Sequence, residues 1–598
     1  MSTTTTNKTV LKGGEFLVKE TPFNQVYTKN EITEEQTMFG QTAADFINNR
    51  VFPNIQKIDK QDPALTIALM QESAELGLLG ASVPEEFGGM GVDVATDTVI
   101  NEEMGKGHSF AASYAAHTGI GTLPILYYGT EKQKADYLPG LVDGSIKAAY
   151  CLTEPGSGSD ALGAKSKAVL SEDGKHYVLN GQKMWITNGG FADIFTVFAK
   201  IDGDKFTGFI VDAKSEGISL GSEEDKLGIK GSSTRQVFFN NVLVPVENVL
   251  GEIGKGHKIA FNVLNIGRYK LCVLALGGSK KSCSNAVKYA NERIQFNVPI
   301  SSFGAIKHKL AEMAIKIYAC ESATYRTAGL LDDMISDLAA KGTDKVQAKL
   351  IAAEEYSIEC AILKVFGSEV LDYVVDETVQ VYGGTGFSEE YPAARSYRDA
   401  RINRIFEGTN EINRLLSVGM LVKKAMKGEV DLFTPAMAVQ KELMSVPDFG
   451  ADSSDDYFAA EKKALKNAKK AILMTAGAGV QKFAQAFEKE QEIIMDISDM
   501  LIEVFVSESL LLRTEKLVSI KGAEACALEI DITKTYLSDA FERIQISGKH
   551  AVSSFNDGDV LRVMLSGLRR FTKYDAVNTV ATRRRIADKL IADNQYSI

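Results

Sequence analysis

Apolar residues along this 598-residue chain change their spacing in clear blocks. From about Glu31 to Gly144 they recur every three or four positions, as in "ITEEQTMFGQTAADFINN" and "PALTIALMQESAELGLL". That is the period of helices with one face turned to a core. "VPEEFGGMG" (Val83–Gly91) interrupts them as a glycine-rich loop. From about Tyr150 the texture becomes β-branched and aromatic. "HYVLNGQKMWITNG" predicts a strand, an Asn-Gly turn and a returning strand. "DIFTVFAKI", "FTGFIVDA" and "STRQVFFNNVLVP" extend this to about Leu250 as an antiparallel β domain. Helical spacing returns from about Gly256. "AIKHKLAEMAIKIYACESATYRTAGLLDDMI" and "DKVQAKLIAAEEYSIECAILKVFGSEVLDYVVDETVQVYGG" predict long amphipathic helices, as in a bundle. "KGEVDLFTP" and "SVPDFGADSSDD" read as a linker, and helices resume from about Tyr457 to the end.

The fold class predicted is α+β. It comprises an N-terminal arm (1–30), a helical domain (31–147), a β domain (148–256), a helix bundle (257–425) and a helical extension (426–598). The arm is polar and threonine-rich, so it is expected to be frayed.

Composition narrows the function. Apolar residues at 45% and charged residues at 24% are those of an ordinary globular protein. A net charge of −11 offers no basic face for nucleic acid. The six cysteines are scattered without a C-x-x-C pair, which predicts neither zinc nor disulfides. The six histidines never fall at ligand spacing, so no metal site is expected. "MSTTTTNKTVLKGGEF" has neither an apolar signal core nor an Arg-rich leader, and no run of about 18 apolar residues occurs. A cytoplasmic protein without a transmembrane helix is the expectation.

No G-x-x-x-x-G-K-[ST] loop is present, and no glycine motif follows a strand as a Rossmann site requires. "PGSGSD" holds only a truncated G-x-S-x-G and lacks the strand-to-helix context of a serine hydrolase. Two stretches remain. In "AYCLTEPGSGSD" and "GQKMWITNGG", Trp185 is the only tryptophan of the chain. It is either core or a flat surface for an aromatic cofactor, with Thr153 and Thr187 as hydroxyls and Gly158 and Ser159 as points of close backbone approach. In "RINRIFEGTNEINRLL", Thr409 or Asn410 is a natural helix cap and Glu411 a first-turn acid. Glu407 precedes the cap. It is either the partner of Arg401 or Arg404, or a base whose pKa is raised by desolvation against Ile405 and Phe406.

Taken together, "YCLTEPGSGSD", "NGQKMWITNGG", "QVYGGTGF" and "RDARINRIFEGTNEINR" resemble the acyl-CoA dehydrogenase family in content, order and spacing, over residues of about 35 to 425. The extra C-terminal helices and "NVLNIGRYKL" resemble its very-long-chain branch. The resemblance implies FAD between the β domain and the bundle, α,β-dehydrogenation of a fatty acyl-CoA, and an electron-transfer flavoprotein as electron acceptor. It implies Glu407 as catalytic base and Gly408 beside the thioester. Tyr150, Leu152, Thr153, Gly158 and Ser159 match its first flavin segment, and Ser159 also borders substrate. Trp185, Ile186 and Thr187 match the second. Asn265 and Arg268 match its CoA contacts, although other branches carry Asp at the first position. Arg293 and Phe296, with Gln380, Gly383 and Gly384, match residues that reach FAD across a homodimer; Asn297 replaces the usual glycine there. Thr409, Asn410 and Glu411 border the dinucleotide. The same fold also admits an acyl-CoA oxidase or a non-catalytic assembly protein. Gly119 and Gly121 in "AAHTGIGTLP" are expected to allow a deep acyl pocket. "EKKALKNAKK" (Glu461–Lys470) is either a solvated helix face or a point of peripheral membrane contact.

Overall fold

A computed structural model describes residues 10–443 and 456–598. Its first long helix, Glu34–Phe46, starts where the sequence supplies a cap. Thr33 Oγ1 accepts the Gln36 amide at 3.1 Å, and the Gln36 side chain accepts the Thr33 amide at 3.0 Å. Phe46, Ile47, Leu69, Ile100 and Phe110 form the core of the N-terminal helices.

The arm is not frayed over its described part. The Gly13 and Gly14 amides donate to the Glu355 and Glu359 carboxylates at 2.9 and 2.8 Å. Phe16 is buried against Phe505, ring centroids 4.8 Å apart. The Val26 carbonyl accepts Lys516 at 2.8 Å. Backbone donors and one aromatic ring hold this strap, so no periodic pattern announced it.

The β domain is an eight-stranded sheet in the order β6-β7-β3-β2-β4-β5-β8, with β1 beside β4. The strands are Ala148–Cys151 (β1), Lys167–Leu170 (β2), His176–Thr187 (β3), Ile194–Ile201 (β4), Lys205–Asp212 (β5), Ile218–Leu220 (β6), Thr234–Pro245 (β7) and Val249–Leu250 (β8). Two expectations need correction. The sheet is mixed, because β1 and β2 both pair with β4 in parallel. The Asn180-Gly181 step is not a hairpin turn; it is a bulge inside one continuous strand β3. The reason is lateral. The Asn180 Oδ1 accepts the Asn241 amide of β7 at 2.9 Å, and a Cβ at position 181 would lie 2.2 Å from Ser166 Oγ. Both neighbours hold the step extended where a free peptide would turn.

The bundle is built on the helix Gly256–Glu292. By length and hydropathy it is the one helix among the described residues that could cross a membrane, yet Cys272, Val273, Leu276 and Val287 are buried inside the bundle. The helices Gly304–Ala340 and Ser357–Tyr382 pack with it; the second is separated from Lys345–Glu355 by a break at Tyr356. Close approach depends on missing side chains: a Cβ on Gly277 would sit 1.8 Å from the Glu102 carbonyl oxygen.

The extension joins the same core, with Leu501, Phe505 and Leu537 in one cluster with Leu310 and Ile317. The expected linker contains a helix, Phe433–Leu443, while most of "SVPDFGADSSDD" lies outside the described residues. In "EKKALKNAKK" Lys462, Lys466, Lys469 and Lys470 are each paired. Lys462 meets Asp456 at 2.8 Å and Glu515, Lys466 meets Glu20 at 3.1 Å, Lys469 meets Glu508, and Lys470 meets Glu442 at 2.9 Å. This run therefore fastens the extension to the strap and its neighbours, and those four lysines do not form the free cationic strip that membrane contact would use.

Candidate active site

Glu407 sits in the reversal between the turn Arg401–Arg404 and the helix Asn410–Met426. Its φ is 58° and that of Gly408 is 82°. Left-handed backbone at a glutamate persists only where the surroundings over-determine it. Here they do. The Glu407 carbonyl accepts Arg268 Nε at 3.2 Å. The Gly408 and Thr409 carbonyls accept Asn413 Nδ2 at 2.8 and 3.0 Å, and Thr409 Oγ1 caps the helix by accepting the Ile412 amide at 3.2 Å.

The salt-bridge reading of Glu407 fails. Arg404 pairs with Asp372 at 2.9 Å, and Glu407 Oε2 is inaccessible and without a hydrogen-bond partner. Ile405 and Phe406 are not what dries it, being 48% and 38% exposed. The carboxylate lies instead against the turn of the long helix at Gly267, where a Cβ would come within 2.8 Å of Oε2. Burial pushes the Glu407 pKa up to about 7, against the opposing pull of the Arg268 and Lys364 charges.

A cavity of about 160 Å³ opens from this carboxylate. One wall is the long helix, at Gly267, Leu271 and Gly278; the facing wall is Ala112, Ala115 and Gly119. The helix Val94–Met104 that leads toward this wall runs antiparallel to the long helix, since Gly105 packs on Leu274 and Gly277 on Glu102. Small residues keep the slot open, and a Cβ on Gly119 would meet nothing within 4 Å. Gly121 does not belong to it: a Cβ there would press Ala148 Cβ at 2.9 Å, so this glycine serves packing on β1.

On the sheet side, a second bulge in β3, between Lys183 and Ile186, re-aims the strand end. Trp185 (φ 61°) is thrown outward and 52% exposed, so it is not core. Ile186 points the other way into the sheet core, leaving only its backbone on the Trp185 side. Thr187 lines the cavity. The preceding loop is pinned beside it: the Thr153 carbonyl accepts the Met184 amide at 2.9 Å, and Lys183 pairs with Glu154 at 2.7 Å. Leu152 is half-buried, Gly158 and Ser159 are exposed, and the buried Tyr150 hydroxyl has no partner.

Other expected residues sort into two groups. Asn265 and Arg268 are buried and bonded to each other at 2.7 Å, holding the Glu407 reversal from behind. Arg293, Phe296, Gln380, Gly383 and Gly384 are exposed on another face. Arg293 lies 25 positions beyond Arg268, ~37 Å at ~1.5 Å per helical residue. The strands Ile294–Gln295 (β9) and Val298–Pro299 (β10) form a hairpin whose turn, Phe296-Asn297, has φ of 54° and 66°. This is a primed turn, which asparagine tolerates in the place of glycine. Phe296 stands 87% exposed.

Lys364 gave no signal in the sequence. It is fully buried, and its Nζ donates to Asn410 Oδ1 at 2.7 Å. Asn410 Nδ2 in turn donates to Ser368 and Glu369, both at 3.0 Å. Glu369 holds Arg414 at 2.8 Å, and Arg414 reaches Asp499 of the extension helix Gln491–Lys521 at 2.7 Å. Asn410 thus faces inward as a brace between the Glu407 loop and the extension, while Glu411 stays exposed. Gly267 was also missed, although a glycine inside an apolar helical run is a visible irregularity.

Comparison with known proteins gives a consistent set of matches. Models described as the N-terminal, middle and C-terminal domains of acyl-CoA dehydrogenase match residues 33–145, 149–242 and 254–419, and a further C-terminal domain model matches 467–570. A protein of Bacillus subtilis described as a probable acyl-CoA dehydrogenase is 47% identical over 98% of this chain and 99% of its own length. The human very long-chain specific acyl-CoA dehydrogenase is 40% identical over 64% of this chain and 58% of its own. A Bacillus anthracis acyl-CoA dehydrogenase solved in complex with FAD superposes with a TM-score of 0.96 at 48% identity, covering 98% of this chain and 100% of that one. Butyryl-CoA dehydrogenase of Megasphaera elsdenii superposes at 0.59 and 37% identity, covering 66% of this chain and 99% of its own.

The brace makes a stability prediction. Asn410→Ala leaves the buried Lys364 amine and Glu369 without their shared partner, and should cost ~1–3 kcal/mol. Urea titration of the variant checks this; an unchanged midpoint would remove the brace from the account.

Proposed function

This chain belongs to the acyl-CoA dehydrogenase family, and from that premise we propose that it catalyses FAD-dependent α,β-dehydrogenation of medium- to very-long-chain fatty acyl-CoA thioesters. The observation that carries the reading is the half-buried Glu407, with Oε2 inaccessible and unpartnered, at the head of an apolar slot. The α-proton of a thioester is weakly acidic. A carboxylate removes it only where water is kept away and the enolate oxygen is stabilised. Glu407 takes the proton. Its own amide N–H has no acceptor among the described residues, so it is free to donate to the thioester carbonyl. Gly408 keeps the chain next to the carbonyl free of a side chain. The Cα–H and Cβ–H bonds break and a trans Cα=Cβ bond forms.

FAD, when bound, supplies the acceptor for the hydride that leaves Cβ. The residues present fit it. Trp185 offers an open aromatic face, Thr153 and Thr187 offer hydroxyls, and Gly383 and Gly384 have no atom within 4 Å of where a Cβ would stand. The FAD complex of the Bacillus anthracis relative supports the same assignment. Arg293, Phe296, Gln380, Gly383 and Gly384 would complete the site of a second subunit in a homodimer, which explains why so exposed an aromatic as Phe296 stands there. An electron-transfer flavoprotein is the acceptor this reading names. An acyl-CoA oxidase would pass the electrons to oxygen, and flavin reoxidation by the two acceptors separates them.

The slot follows the long helix from Gly267 to Ser282. Those 15 steps span ~22 Å at ~1.5 Å per residue. An extended acyl chain advances ~1.25 Å per carbon, the projection of a ~1.5 Å bond, so chains of ~16–18 carbons fit. This favours long chains within the proposed range.

Three outcomes are expected. Glu407→Gln keeps FAD and loses anaerobic flavin bleaching by acyl-CoA by more than the ~10²–10⁴-fold typical of a general base; bleaching at the wild-type rate would exclude Glu407. The pH profile follows from its raised pKa: below about 7 the carboxyl is protonated and cannot act, so kcat/KM rises with pH and levels above about 7. A flat profile from pH 5.5 to 8 would contradict this. In a dye-linked scan over acyl-CoAs, kcat/KM should climb toward ~16–18 carbons, and an optimum at about four carbons would refute the length of the slot.

A further inference from the structure

The reaction accounts for the Glu407 end of the slot and leaves its other end unexplained. Away from Glu407 the long helix contributes Leu271 and Ala275, then Lys281 and Ser282; opposite them the wall changes from alanines to His108, and a third element brings Ser396. An apolar channel thus ends among polar donors. Lys281 has no carboxylate within ion-pair distance among the described residues, and its ammonium rests 4.8 Å from the centre of the Phe52 ring. Burial and the like charges of Lys106 and Lys288 push its pKa down, as for a cation short of a counter-charge. Ser282 and Ser396 are 3% and 7% exposed, and both line this end of the slot. The carboxylate lining this end, Asp399, is already committed: it accepts His108 Nδ1 at 3.0 Å and the Ile229 amide at 2.5 Å. Lys106 is likewise paired with Glu103 at 2.5 Å. His108 is held at φ 53°, strained backbone that places its ring here.

A half-buried cation and two cavity-lining hydroxyls at the end of an apolar channel suit an anionic oxygen. We infer that the far end of the slot is a subsite for an ω-terminal carboxylate, so that the protein takes long-chain dicarboxylic monoacyl-CoA thioesters. Lys281 pairs with that carboxylate, and Ser282 and Ser396 donate to it. The inference rests on the dehydrogenase reading. Gly267 to Lys281 is 14 helical steps, ~21 Å, so the subsite selects chains of ~16 carbons whose ω-oxygens arrive as the thioester reaches Glu407. The substrate would come from a reaction that oxidises the methyl end of a fatty acid to a carboxylate.

The test uses the FAD-bound full chain and a dye-linked assay with hexadecanoyl-CoA, its ω-carboxyl counterpart and octanoyl-CoA. Wild-type enzyme should turn over the ω-carboxyl substrate with kcat/KM within about tenfold of the plain one, or better. Lys281→Met should lower the ratio of the two by ~10–100-fold, mainly through KM, and Lys281→Arg should restore it. Flavin absorbance confirms that each variant is assembled, and Ser396→Ala should lower the same ratio by a smaller factor. Wild-type enzyme that accepts hexadecanoyl-CoA but rejects the ω-carboxyl substrate overturns the subsite, as does a Lys281→Met that slows both in proportion. If octanoyl-CoA reacts and neither 16-carbon substrate does, the long slot itself is wrong and the subsite falls with it. If none reacts, the dehydrogenase reading is what has failed.

Discussion

A carboxylate with one buried, unpartnered oxygen must be held by its backbone and neighbours and not by that oxygen. That constraint organises this molecule. The Glu407 side chain gains nothing from a hydrogen bond to Oε2, and its backbone sits at φ 58°. Both features raise the energy of the fold, by ~1–3 kcal/mol for such a strained residue alone. They persist because Arg268, Asn413 and the Thr409 cap fix the main chain from the Glu407 carbonyl onward. The missing side chain at Gly267 leaves the only space the carboxylate needs. Burial then raises the Glu407 pKa to about 7, as the proposed role of base requires.

The rigidity behind that loop comes from a distance. Asp499 belongs to the extension, and through Arg414, Glu369 and Asn410 it reaches the residue three positions after Glu407. A second set of buried charges joins four parts of the chain: Lys29 of the strap, Glu102 of the N-terminal helices, Lys280 and Glu321 of the bundle, and Arg513 of the extension. Buried ion pairs add little net stability against apolar packing of the same volume. Their geometry does impose one docking arrangement, because any slip would strand a charge in the interior. The slot lies between elements locked in this way, and so do the walls that determine its length.

Much of the site was legible because its chemistry is local. "FEGTNE" carries Glu407, the left-handed glycine and the cap within six residues. "NGQKMWITNG" carries the lone tryptophan and the hydroxyl beside it. What escaped were residues without local oddity. Lys364 looks like one more lysine on an amphipathic helix, and only burial against Asn410 gives it a role. Asn180-Gly181 has the local preference of a hairpin turn, and lateral bonding to β7 overrides it. The strap at Gly13 and Gly14 is attached through backbone amides, which no side-chain pattern reports.

The sequence by itself determined the order of helical, β and helical blocks, the position of Glu407 as candidate base and the residues next to it in the chain. Each of these follows from periodicity or from chemistry within one short segment. Tertiary structure alone excluded the salt bridge at Glu407, since a paired and an unpaired carboxylate share the same neighbours in sequence and differ only in what packing presents to them. It also decided that Trp185 faces outward, through a bulge set by pairing with β7, and that the slot runs the length of its two walls to Lys281. Solvent exclusion and the register between distant segments are properties of packing, and no single stretch of chain contains them.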